Sequence, residues 1–127
     1  MKARENALRL KRFEAEEKSR KVADLESMIR EFDQMAVDLD RQIANEEDRT
    51  GVRDRGHFAY STFAKAAAQR RDNLATSVAD LREKLAVAIK ERDAAADLLS
   101  KSEVGESSAR ETGRNRRHGG NTDVRAS

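Results

Sequence analysis

The chain has 127 residues, enough for one small domain, yet only 37% are apolar, 39% are charged, and Pro, Cys and Trp are absent. That composition excludes a wide globular core: ordering the backbone costs roughly 1–2 kcal/mol per residue, and so few large side chains can offset it only through narrow, repeated contacts. The 26 bases nearly cancel the 24 acids, so net charge points to no nucleic-acid partner, and the missing cysteines exclude a disulfide scaffold and a thiolate metal site, fitting a reducing compartment such as the cytoplasm.

Residues 1–21 carry eight Lys or Arg against four Glu. The opening Met1-Lys2-Ala3-Arg4-Glu5 lacks the apolar stretch of a secretory signal, and no run approaches the roughly 18–20 apolar residues of a membrane span. Neither secretion nor direct membrane insertion is expected. Next, Val22, Leu25, Ile29, Phe32, Ala36, Leu39 and Ile43 recur at steps of three and four, the heptad pattern of a coiled-coil seam. Carried backwards, the pattern meets Ala15 and Leu8 but also Lys18 and Lys11, so the seam weakens toward the N-terminus. Met28 and Met35 each precede a seam residue and widen the apolar stripe on one flank, as edge cover or as an adaptable surface for another helix. A first helix is predicted over about 3–48.

The stretch from Asp48 to Gly56 holds two glycines among short polar and charged residues and breaks the heptad register, which predicts a turn over about 49–57. Asp54, Ser61 and Thr62 are alternative N-caps for the second helix. A second seam then runs through Ala67, Leu74, Leu81, Ala88 and Ala95 with Val78, Leu85 and Leu99 as companions, interrupted by Arg71 and Arg92. Its alanines favour helix and allow close approach of a neighbour. The fold class expected is therefore all-α, a long antiparallel two-helix coiled-coil hairpin over 1–101 with the second helix at about 58–101. Residues 102–127 are polar, contain four glycines and are predicted to form a disordered tail. The cluster from Arg114 to His118 could grip phosphates, but the tail as a whole balances five Arg against four acids and has no aromatic for base stacking, so a solvated tail is the favoured reading.

No site for chemistry stands out. His57 and His118 lack a second His or Cys at ligand spacing, the carboxylates lie among Lys and Arg as on a solvated coil surface, and no phosphate-binding glycine loop occurs. The expectation is a protein without catalytic activity, cofactor or metal. What remains is local: Phe58, Tyr60 and Phe63 place three of the five aromatics within six residues, next to Arg70 and Arg71. A two-helix hairpin cannot enclose three rings, so at least one should pack on Ile43 and Leu39 while others stay exposed as a docking patch.

The stretch from His57 to Leu74, HFAYSTFAKAAAQRRDNL, together with Leu8-Arg9-Leu10-Lys11-Arg12-Phe13, resembles the FliJ family of bacterial flagellar export proteins, and the likeness covers residues 4 to 100. The resemblance implies a cytoplasmic protein, peripherally associated with the inner-membrane export apparatus and shaped like the antiparallel coil of the rotary ATP synthase stalk. It implies coupling of the hexameric export ATPase to the cytoplasmic part of the membrane export gate, with export chaperones as further candidate partners and no nucleic acid. By carry-over, Phe58, Tyr60, Phe63, Ala67, Arg70, Arg71 and Leu74 would face the gate, and Arg9, Lys11, Arg12 and Phe13 the ATPase. Family members commonly extend the second helix into a charged C-terminal portion, where this chain has its Gly- and Ser-containing run, a departure from the family pattern at the ATPase-facing end. Two readings compete with this one. The first is a generic coiled-coil adaptor or chaperone-like protein that self-associates and holds clients on its Ala- and Met-rich faces. The second is a binder of nucleic acid or acidic membranes through the basic N-terminal segment and the Arg cluster.

Overall fold

The structure, a computed structural model that describes residues 2–117, is a helical hairpin of two elements, α1 (Lys2–Thr50) and α2 (Thr62–Arg117), with no strand among the described residues. α1 ends where a left-handed residue becomes necessary. Gly51 sits at φ +74°, and its N–H donates to the Glu47 carbonyl at 2.8 Å, satisfying one of the carbonyls the helix end leaves open. A Cβ at Gly51 would meet nothing within 4 Å, so the cost of Gly51→Ala is conformational alone. The expected loss is roughly 1–2 kcal/mol, read as a lower midpoint of chemical unfolding.

α2 begins at Thr62, four residues later than the predicted start near 58. Asp54 accounts for the difference. Its carboxylate accepts from the Gly56 N–H at 3.0 Å and its carbonyl from the His57 N–H at 3.0 Å, so it closes a local turn instead of capping a helix. A second turn comes next, with the Tyr60 N–H donating to the His57 carbonyl at 3.0 Å. Ser61 is the N-cap: its hydroxyl accepts from the Ala64 N–H at 3.2 Å and its carbonyl from the Lys65 N–H at 3.0 Å.

At the other end α2 continues to Arg117, past the predicted limit at 101. Gly105 and Gly113 each cost about 1 kcal/mol relative to Ala in a helix interior but do not break it, and the segment contains no Pro. Ser102, read as the start of the tail, instead donates its hydroxyl back to the Leu98 carbonyl at 2.9 Å, within helical backbone. Residues 118–127 of the predicted tail, His118 among them, lie outside the described residues.

The chain divides into two compact units, one of Arg20–Ile89 and one joining the residues up to Ser19 with those from Lys90 onward. Within Arg20–Ile89, ion pairs join Asp33 to Arg82 and Asp40 to Arg71, so one number rises as the other falls and the helices run antiparallel. Val22, Leu25, Ile29, Val78, Leu81 and Ala88 form one buried cluster, with Phe32, Leu85 and Ile89 packed against it. Ile43, Tyr60, Ala64, Ala67 and Ala68 form a second, flanked by Leu39 and Val52. Ala64 is fully buried, which only a methyl-sized side chain at a close helix approach permits. In the other unit Arg12 pairs with Glu103 at 3.5 Å and Lys18 with Glu91 at 3.1 Å, again antiparallel. Leu8 is buried there, and Leu99 and Ala95 are half-buried.

Cations that interrupt the seam reach partners rather than water alone. Arg71 is half-buried and donates to Asp40 across the helix pair at 3.0 Å and to its neighbour Asp72 at 3.3 Å. Lys11 donates to the Ser102 hydroxyl at 2.8 Å, and Lys18 to Glu91.

Candidate docking surfaces

At the turn end, one of the three aromatics closes the structure. Tyr60 packs with Ile43 and Leu39, and its hydroxyl donates to Glu47 Oε2 at 2.8 Å. Glu47 beside the phenol, and then burial, raise the tyrosine above its ordinary range. Next to it the Ser61 hydroxyl donates to Glu46 Oε1 at 2.8 Å, and the Arg49 guanidinium grips both oxygens of the same carboxylate at 2.6 and 3.1 Å. Arg49 first and Ser61 second lower the Glu46 carboxyl from its ordinary 4.5 to about 2. The N-terminal end of α2 is thereby tied to the C-terminal end of α1.

The consequence for pH has a definite sign. A depressed carboxyl stabilises the fold fully above its unfolded value near 4.5, and the contribution fades as pH falls toward about 2. Wild type is therefore expected to be more stable than Glu46→Gln at pH 6, with the difference shrinking between about pH 4.5 and 2. Urea unfolding at several pH values checks this.

The other two rings stay outside. Phe58 is 96% exposed and stacks on His57 with ring centroids 4.6 Å apart, while Phe63, on the first turn of α2, is 57% exposed. His57 is itself held in the loop, its Nδ1 accepting from the Ala59 N–H at 3.0 Å. Arg70 is exposed two turns further along α2 and Leu74 half-buried. Two members of the predicted gate face are buried and a third, Arg71, is half-buried and paired. Tyr60 and Ala67 are in the core, at 9% and 4% exposure, because the close packing of α2 on Ile43 takes them there, and Arg71 is committed to Asp40.

Beside this end the two sides of the helix pair differ. On one side a groove of about 450 Å³ contains Ala36, Ala75 and Val78 and is crossed by the Asp40–Arg71 and Asp33–Arg82 pairs. On the other, a groove of about 500 Å³ is floored by Phe32, Met35, Leu39 and Leu74. Its rims are Asp38 and Gln42 on α1 and Arg70, Asn73 and Ser77 on α2. The sequence pattern pointed to Met35 and Leu74 separately, but not to their meeting in one groove.

In the unit that holds the N-terminal part of α1, the predicted ATPase residues split. Arg9, Arg12 and Phe13 are exposed, Phe13 at 56%, with Arg12 pairing to Glu103 at the surface, whereas Lys11 is half-buried and donates to Ser102 on α2. Residues 114–117 of the Arg cluster fall in the last turn of α2. Among the described residues no helix is long and apolar enough to cross a membrane, and no group of three or more His, Cys, Asp or Glu is placed to hold a metal ion. No protein-family model, curated protein or solved structure matches the chain.

Proposed function

We propose that the chain is a non-catalytic, cytoplasmic coupling protein of the flagellar type III export apparatus, linking the export ATPase ring to the cytoplasmic part of the export gate. Two things support the reading. The first is the likeness of residues 57–74 to the FliJ family. The second, which carries it, is that of the three aromatics only Tyr60 joins the turn-end core, leaving Phe58 and Phe63 exposed, with Arg70 exposed further along α2. Exposed aromatics, and arginine, are among the side chains that anchor protein interfaces. In this reading Phe58, Phe63 and Arg70 face the gate, and Arg9 and Phe13 meet the ATPase.

The test is a pull-down of the full chain against the export ATPase and the soluble gate domain. A Phe58→Ser, Phe63→Ser double variant is expected to keep its helical circular dichroism, since neither ring is in the core, and to bind the gate domain about tenfold more weakly or worse. Absence of binding by wild type to either partner removes the proposal.

A further inference from the structure

We propose that the groove floored by Phe32, Met35, Leu39 and Leu74 receives one amphipathic helix of a partner protein, completing a three-helix coil, whoever the export partners prove to be. Three observations carry this. The opposite groove is bridged by cross-helix ion pairs, whereas here Asp38 engages Gln34 at 3.2 Å and Arg41 at 3.8 Å, both on its own helix, and the apolar floor lies open. Met35 is 51% exposed in it.

The dimensions suit a helix. From Phe32 to Leu39 the floor spans seven residues of α1, about 10 Å or two helical turns, which matches the i, i+3 or i+4, i+7 anchors of a helix laid in a groove. The rims choose its chemistry. Asp38 on one side and Arg70 on the other call for a base along one flank of the incoming helix and an acid along the other. Methionine in the floor adapts to differing anchor shapes.

The probe is a synthetic helical peptide with leucines at those anchor spacings, Lys on one flank and Glu on the other, titrated by fluorescence anisotropy against the full chain. Met35→Glu, which alters a half-exposed residue and should leave the fold intact, is expected to weaken binding tenfold or more. Ala79→Glu, in the opposite groove, should leave it within twofold. Arg70→Glu should weaken the mixed-charge peptide roughly three- to fivefold and strengthen a peptide with Lys on both flanks. The proposal is overturned if wild type does not bind at about millimolar peptide, or if Met35→Glu and Ala79→Glu act alike. It is equally overturned if sedimentation shows a dimer of the chain that Met35→Glu dissociates, which would make the groove a self-interface. Gate binding that survives Met35→Glu but fails in the Phe58, Phe63 double variant would leave the coupling role standing whatever the peptide does.

Discussion

Leu81→Ala is expected to lower the stability of the Arg20–Ile89 unit by about 3 kcal/mol, within the 2–5 kcal/mol that such truncations cost. Leu81 is 7% exposed and belongs to the cluster of Val22, Leu25, Ile29, Val78 and Ala88. The loss has two parts, the transfer free energy of the missing methyl and methylene groups and the contacts forfeited around the hole. A two-helix seam has little depth from which to refill that hole, because each helix has one neighbour. With a urea dependence of about 2 kcal/mol per molar, the midpoint should fall by about 1.5 M. Val87→Ala, six residues along the same helix but 56% exposed, supplies the control: its effect should stay within about 0.5 kcal/mol and lean toward stabilisation, since alanine is the better helix former. Equal effects at the two positions would mean that the seam is not where the stability lies.

The seam was legible because its cause is local. A residue's place on a helix face follows from its number modulo the helical repeat, so Val22, Leu25, Ile29 and Ile43, and on the second helix Val78 and Leu81, could be read as buried without knowing what they touch. Boundaries were less legible because they are decided by competition. Asp54 and Ser61 are both capping residues, and only the loop's hydrogen bonds show that Asp54 closes its own turn while Ser61 starts the helix. The limit at residue 101 rested on composition, which registers glycine and serine but not the anchoring of Ser102 by Lys11 and by the Leu98 carbonyl.

The candidate surfaces were legible only in part, for a related reason. Sequence indicated that three rings could not all be enclosed, yet which one turns inward depends on the path of the loop between Gly51 and Ser61. The difference between the two grooves depends on register: Asp33 meets Arg82 and Asp40 meets Arg71 on one side, while Asp38 and Arg70 line the other. Periodicity within a single helix carries no information about which residues of its neighbour stand opposite.

Tyr60→Ala should be the most damaging change at the turn end, at about 3–4 kcal/mol, with Tyr60→Phe costing about 1–1.5 kcal/mol. The two variants separate what the side chain does. Phenylalanine keeps the ring against Ile43 and Ala67 but removes the bond donated to Glu47 at 2.8 Å, leaving a half-buried carboxylate short of one partner. Alanine removes the ring as well, opening the cluster that joins the end of α1 to the start of α2. High pH offers an independent check, because Glu47 and burial raise the phenol above its ordinary 10. A raised acid contributes its stability fully below the unfolded value, and the contribution is lost as pH climbs through the folded one. Wild type should therefore lose its advantage over Tyr60→Phe above about pH 10, while Tyr60→Ala remains the weaker protein at every pH, since packing does not titrate.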